Sequence, residues 1–119
     1  MRDYKLYLND IILAMKSIEN FVEDMDLDGL INDDKTSSAV VRKFEIIGEA
    51  TKYIPDWLRK KYSDLPWKKM AGIRDGLIHA YFGIDYKLVW EAIKIDIPKL
   101  KPQIEKILIE LSEEESEME

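Results

Sequence analysis

Residues 70–83 have the sequence M-A-G-I-R-D-G-L-I-H-A-Y-F-G, and they contain the only histidine of the chain. Arg74, His79 and Tyr81 follow one another as R-x-x-x-x-H-x-Y, and Asp75 adjoins the arginine. A permanent cation, a group that titrates near neutral pH and a phenol thus fall within eight residues. This combination predicts a site for phosphate chemistry.

The same residue types suit RNA cleavage without a metal ion. That reaction needs a base for the 2′-hydroxyl proton, an acid for the leaving oxygen and a cation for the phosphoryl charge. Histidine, with an unperturbed pKa of about 6.5, can perform either proton transfer, and arginine binds phosphate through its planar fork. One histidine does not easily perform both proton transfers. We therefore expect either two copies of the chain to join their segments, or Tyr81, Asp75 or water to take the second role.

A purely structural interpretation of these residues is also open. A histidine near a helix C-terminus often caps free carbonyl groups. In that case Arg74 and Asp75 are surface charges, and Tyr81 belongs to the core with its hydroxyl at the edge. Spacing alone does not decide between the two interpretations.

The motif segment is predicted to be one helix, Pro66–His79, with proline in the first turn. Residues five apart are rotated by about 140° on a helix, so either Arg74 must reach around the helix or the helix must end near His79. Gly83 favours such an end, which places His79 in the last turn near the negative end of the dipole. Gly72 and Gly76 each cost about 1 kcal/mol in a helix, which predicts close packing of a second helix there. The alternative is that one or both glycines only tolerate a local irregularity.

Three sequence blocks resemble one known family. They are K-F-E-I-I-G-E-A-T-K at residues 43–52, L-P-W-K-K-M-A-G at residues 65–72 and R-D-G-L-I-H-A-Y-F-G-I-D at residues 74–85. In order and spacing they are similar to the HepT-like branch of the HEPN superfamily, and the similarity runs from Tyr4 to about Leu111. These are small all-helical proteins, many of them toxins encoded beside a minimal nucleotidyltransferase (MNT) antitoxin.

The resemblance implies roles for individual residues. Arg74 and His79 match the family's R-x4-6-H ribonuclease motif, with Asp75 in support, and Tyr81 matches the tyrosine to which the partner transferase attaches AMP in some members. The family's active site is built from two protomers, which implies a homodimer. We therefore expect a metal-independent endoribonuclease, the toxin of a type II/VII-like toxin–antitoxin pair, with an RNA substrate and no cofactor. The alternative is a catalytically inactive helical adaptor that binds a nucleotidyltransferase.

Composition limits the remaining choices. With 119 residues, 46% hydrophobic and 35% charged, the chain fits one soluble domain. The absence of cysteine excludes disulfides and thiolate metal sites. No signal-like segment opens the chain and no apolar run approaches the roughly 18 residues of a membrane helix, so we expect a cytoplasmic protein.

Charge is unevenly distributed along the chain. The net charge of −6 argues against a nucleic-acid partner, but residues 52–74 hold seven basic and two acidic residues, a local balance of +5. We expect an RNA-binding patch formed by Lys60, Lys61, Lys68 and Lys69. A solvated surface without a ligand is the alternative.

Apolar residues at spacings of three and four predict four main helices plus a short one, without strands. The predicted helices are Tyr4–Met25, Thr36–Tyr53, the short Asp56–Tyr62, Pro66–His79 and Tyr86–Leu111. We expect Pro98 to kink or restart the last of them. For the helix Thr36–Tyr53, the spacing predicts an inner face formed by Val40, Phe44, Ile47, Thr51 and Ile54. The pattern predicts an all-α, up-and-down HEPN-like bundle over residues 1–111 and a disordered acidic tail over residues 112–119.

Two carboxylates on the second main helix, Glu45 and Glu49, are four residues apart and share one side. Such a pair can contribute to a metal site, but helical carboxylate sites also require Glu-x-x-His, and the only histidine follows Gly76 by three residues. We therefore predict no metal site and assign the pair to surface or interprotomer ion pairs.

Overall fold

The computed structural model describes residues 3–79 and 83–118. Over these ranges the secondary structure is almost entirely helical, so the predicted all-α fold is confirmed. The α-helices are α1 (Tyr4–Phe21), α2 (Leu27–Ile31), α3 (Asp34–Lys52), α4 (Asp56–Lys61), α5 (Trp67–Ala71), α6 (Ile73–Leu77), α7 (Tyr86–Glu91) and α8 (Ile97–Met118). A π-helical segment (Ala92–Asp96) joins α7 to α8, and two short strands, β1 (Ile78–His79) and β2 (Gly83–Ile84), follow α6.

The first helix is shorter than predicted, because the backbone turns sharply after it. Asp24 adopts a positive φ of 64°, which is incompatible with a continuing right-handed helix. Asp26 then accepts a hydrogen bond of 2.7 Å from the backbone N–H of Gly29. This aspartate therefore caps α2, a short helix that was not predicted.

The central element is α3, which packs against α1, α2, α5 and α6. Its inner face is the one predicted from the apolar spacing. The residues of this face are all buried: Val40, Phe44, Ile47, Thr51 and, just beyond the helix, Ile54. The hydroxyl of Thr51 donates to the carbonyl of Ile47 at 2.7 Å, which allows a polar side chain in the core.

The last helical stretch changes its hydrogen-bond pattern just before the first of its prolines. The helix α7, the π-helical segment and α8 follow one another without a non-helical residue, and Pro98 is the second residue of α8. The predicted restart at Pro98 is therefore wrong, and the alternative, a kink there, stays a prediction. The helix also continues through Pro102.

The long helix α8 runs antiparallel to α1. Ion pairs join Lys5 to Glu115 at one end and Glu19 to Lys101 at the other. The helix includes residues 112–118, which are helical here instead of forming the disordered tail expected for them. Within the described ranges, no helix has an apolar stretch of the length needed to cross a membrane.

Candidate active site

The R-x-x-x-x-H motif spans the end of α6 and the first strand. Arg74 lies in α6, and His79 is in β1, which pairs antiparallel with β2 so that His79 is opposite Gly83. The prediction of one helix over Pro66–His79 is therefore wrong, as are the absence of strands and the position of His79 in a last helical turn. The side chain of His79 and all of Tyr81 lie outside the described residues, so their assigned roles stay predictions.

The break has a local cause in the glycines of the motif. Gly72 separates α5 from α6 and Gly76 lies within α6, and each glycine weakens a helix by about 1 kcal/mol. After Leu77 the chain turns into the hairpin, which the backbone N–H of Asp85 closes by donating to the Leu77 carbonyl at 2.8 Å. Gly83 has a φ of 76°, so its predicted left-handed conformation serves the hairpin and not a helix end.

The close packing predicted at Gly72 and Gly76 occurs at a different glycine. A Cβ atom on Gly76 would have no neighbour within 4 Å, and on Gly72 only the Lys68 carbonyl at 3.6 Å. On Gly48 of α3, by contrast, it would lie 3.1 Å from the carbonyl oxygen of Ala71. The α5–α6 junction thus rests directly on the backbone of α3, a contact that the sequence pattern did not indicate.

Arg74 presents its guanidinium to solvent. Its side chain is 54% exposed, and its described ionic partner is the neighbouring Asp75, at 3.7 Å from Nη1 to Oδ1. The Asp75 side chain is itself 87% exposed, so the pair is weak and easily opened. Arg74 is therefore accessible to an incoming phosphate and is not a core residue.

Three of the four lysines assigned to RNA binding line one open groove. This basic groove has a volume of about 770 Å³ between α4 and α5. Its lining includes Lys60, Lys68 and Lys69, together with Asp56 and Arg59. Lys61 does not line the groove, and its ammonium binds Glu114 of α8 at 2.6 Å.

Some basic residues counted in the sequence are already engaged. Arg59 donates from Nε to the Ile54 carbonyl at 3.1 Å and from Nη2 to the Thr51 carbonyl at 2.6 Å, so it caps the end of α3. Lys69 lies 3.7 Å from the carboxylate of Asp96. These partners reduce the positive charge that the segment offers to a ligand.

Lys60 and Lys68 are the lysines of the groove that remain without an ionic partner among residues 3–79 and 83–118. Both are exposed. They are therefore the strongest candidates for phosphate contacts in this groove.

The carboxylate pair on α3 is engaged in ion pairs on its own helix. Glu45 lies 3.8 Å from Arg42, and Glu49 lies 3.1 Å from Lys52. The predicted surface ion-pair role is confirmed for both. In the part of the chain that the structure describes, no three histidine or carboxylate side chains are grouped as a metal site would require.

A tyrosine beside the groove has a strongly shifted pKa. The Tyr62 hydroxyl donates to Glu110 of α8 at 2.6 Å. Burial, followed by this hydrogen bond and the negative charge of Glu110, raises the pKa of Tyr62 to about 12. The neutral hydroxyl therefore links the segment after α4 to α8, a role that sequence spacing alone did not indicate.

Comparison with known proteins identifies the family. The family model "Ribonuclease HepT-like" matches residues 11–107. "Putative RNase MJ0125" of Methanocaldococcus jannaschii is 49% identical over 94% of this chain and 97% of its own length. "Probable ribonuclease HepT" of Thermococcus cleftensis is 45% identical over 89% and 96%, and "Putative RNase TTE0752" of Caldanaerobacter subterraneus 40% over 91% and 96%. No solved structure gave a significant match. Because the family model covers most of the sequence and these relatives align over nearly their full length, the chain belongs to the HepT-like ribonuclease family.

Proposed function

We propose that this protein is a cytoplasmic, metal-independent endoribonuclease and the toxin of a toxin–antitoxin pair. Its antitoxin is a minimal nucleotidyltransferase that neutralises it. Membership of the HepT-like ribonuclease family supports the RNA-cleaving activity. The exposed guanidinium of Arg74, on the helix that directly follows the lysine-bearing α5, is the observation that carries the assignment of the site.

The proposed reaction is attack of the RNA 2′-hydroxyl on the adjacent phosphorus. A base removes the 2′ proton as the new oxygen–phosphorus bond forms, and an acid protonates the 5′ oxygen as its bond to phosphorus breaks. The products are a cyclic phosphate and a 5′-hydroxyl. Arg74 binds the phosphoryl oxygens, whose negative charge grows in the transition state, and His79 moves the protons, with Asp75 in support.

Two protomers complete the site in this proposal. A single histidine cannot readily be base and acid in the same turnover, and the chain has only one. In a homodimer, each cleft receives an arginine and a histidine from both copies. The symmetry of such a dimer brings identical segments together across the two-fold axis.

Regulation would act on the same cleft through Tyr81. AMP attached to its hydroxyl adds bulk and a negative phosphate beside the position where the RNA backbone binds. Like charges repel, so the modified protein loses affinity for RNA. The partner nucleotidyltransferase supplies the AMP, with pyrophosphate leaving if the donor is ATP.

A cleavage assay in the presence of EDTA tests the enzyme. Purified protein is incubated with a single-stranded RNA, and the ends of the fragments are analysed by mass spectrometry. We expect cleavage with cyclic-phosphate ends, undiminished by the chelator, and its loss in the His79→Ala variant. No cleavage by folded wild-type protein, together with tight binding to the nucleotidyltransferase, would favour the helical adaptor instead.

Intact mass tests the modification. The protein is co-expressed with the minimal nucleotidyltransferase encoded nearest to its gene, and its mass is compared with that of the Tyr81→Phe variant. We expect adenylate adducts on the wild type only. An adduct on Tyr81→Phe as well would place the modification at another residue.

A further inference from the structure

Two large aromatic side chains lie on the surface where α3 ends and α4 begins. Tyr53 is 61% exposed and Trp57 is 50% exposed. Each ring is held by a tyrosine of α1. Tyr7 stacks on Tyr53 with ring centroids 5.0 Å apart and planes 14° from parallel. Tyr4 meets Trp57 edge-on, with centroids 5.3 Å apart at 88°. We call Tyr53 and Trp57 the aromatic platform.

The supporting rings give the aromatic platform a defined orientation. Aromatic pairs in these geometries are attractive beyond the area that they bury, so the exposed rings do not rotate freely. Exposure of two large rings side by side is otherwise unfavourable, because apolar surface remains in water. A fixed and exposed ring is suited to stack on a flat ligand without a large loss of side-chain entropy on binding.

The aromatic platform adjoins the basic groove through Trp57. Trp57 precedes Lys60 by three residues and Lys61 by four on α4, and residues at these spacings are neighbours on a helix surface. Lys60 is exposed and also lines the groove with Lys68 and Lys69. On the surface of α4, Lys60 therefore lies between Trp57 and the groove.

We propose that the aromatic platform stacks unpaired bases of a single-stranded RNA whose phosphates follow the basic groove. This inference rests on the proposed ribonuclease function and names its substrate class. Single-strand-binding proteins combine a cationic groove with aromatic side chains in this way, whereas a duplex keeps its base faces stacked inside. The cations on the same surface favour a polyanion over an apolar protein partner.

The test measures binding by the full-length protein to three probes of equal length. They are a 2′-O-methylated oligouridine, which cannot be cleaved, the same backbone with abasic positions, and a duplex RNA. Tyr53→Ala and Trp57→Ala remove the rings, and Tyr53→Phe and Trp57→Phe retain an aromatic ring. Ile109→Ala is the matched control, because Ile109 of α8 is similarly exposed at 59%.

We expect each alanine variant to bind oligouridine about tenfold more weakly, without change for the abasic strand, and each phenylalanine variant to retain most of the affinity. Wild-type protein should prefer oligouridine to the duplex. In addition, oligouridine and not the abasic strand should quench the tryptophan fluorescence of the wild type, since Trp57 is exposed, Trp67 is buried and Trp90, on α7, is partly buried. This second readout stays informative if an alanine variant does not fold.

The outcomes separate this inference from the proposed function. Cleavage and binding by the wild type, with equal affinities in all folded variants and no base-dependent quenching, overturn the aromatic platform alone. Loss of self-association in the alanine variants with unchanged RNA binding overturns it in favour of a protein surface. A wild type that neither binds nor cleaves any RNA overturns both proposals.

Discussion

A Cβ atom added to Gly48 of α3 would lie 3.1 Å from the carbonyl oxygen of Ala71, the last residue of α5. This contact places the break between α5 and α6 directly on the central helix. Because Arg74 follows the break by only a few residues, the backbone of α3 helps to determine where its guanidinium emerges. The glycine needed for this geometry is therefore far in sequence from the site that it supports.

The first prediction compares two glycines. Gly48→Ala pushes a methyl group against backbone that cannot rotate away, so we expect a loss of about 1–3 kcal/mol in the free energy of unfolding. Gly76→Ala meets nothing within 4 Å and improves helix propensity, so it should be neutral or stabilising by up to about 1 kcal/mol. Urea unfolding of both variants provides the measurement. Equal effects would contradict the tight contact at Gly48.

The second prediction concerns Arg74. We expect Arg74→Ala to lower kcat/KM for RNA cleavage about 100-fold or more while leaving the unfolding midpoint unchanged, because the side chain is exposed and only weakly paired. Arg74→Lys should recover part of this loss, since lysine keeps the charge but not the fork. Arg42→Ala is the control: its side chain is 68% exposed and lies 3.8 Å from Glu45. Similar cleavage by all variants would remove Arg74 from the mechanism.

A third prediction follows from the proposal that two protomers share each site. Wild-type and His79→Ala proteins are mixed in equal amounts, unfolded together and refolded, so that about one quarter of the dimers contain two wild-type copies. Because the proposed cleft needs the histidine of both copies, we expect about one quarter of the activity of the same total amount of wild type, with exchange verified by mass. About one half of that activity would show that each copy acts with its own histidine alone.

The fourth prediction separates two adjacent lysines. Lys60 lines the basic groove without a described ionic partner, whereas Lys61 is bound to Glu114 at 2.6 Å. Lys60→Ala should reduce the slope of log affinity against log salt concentration by about 0.7 for single-stranded RNA, and Lys61→Ala should change it less. Fluorescence anisotropy over a range of salt concentrations measures both slopes. If the two variants have identical slopes, Lys60 contributes no more to phosphate binding than Lys61 does.

The fifth prediction uses the raised pKa of Tyr62, about 12 against an ordinary value of 10.0. Because the folded protein holds the phenol proton more tightly, this group stabilises fully below pH 10.0, and the stabilisation is lost as pH rises towards about 12. The urea midpoint of the wild type should therefore fall more steeply across this range than that of Tyr62→Phe. Absorbance titration of tyrosinate, with Glu110→Gln as comparison, checks the assignment. If the urea midpoints of wild type and Tyr62→Phe fall in parallel as pH rises, the raised pKa of Tyr62 does not contribute to stability.

Apolar spacing was sufficient to predict the buried faces of the long helices. Such periodicity depends only on the pitch of a helix and on the separation of apolar from polar residues. For this reason the predicted inner face of α3 was correct. The motif containing Arg74 and His79 indicated the family. The exact helix ends were less accurate, as α1 illustrates by ending at Phe21.

The sequence by itself determined the helical class, the buried stripes and the family, because these follow from local pattern and residue identity. Only the tertiary structure decided that the motif is divided between α6 and β1. The contact between Ala71 and Gly48 and the hairpin at His79 depend on packing between distant segments. It also decided which cations remain available. Lys61 is neutralised by Glu114, 53 residues away, and no periodicity within one helix encodes such a partner.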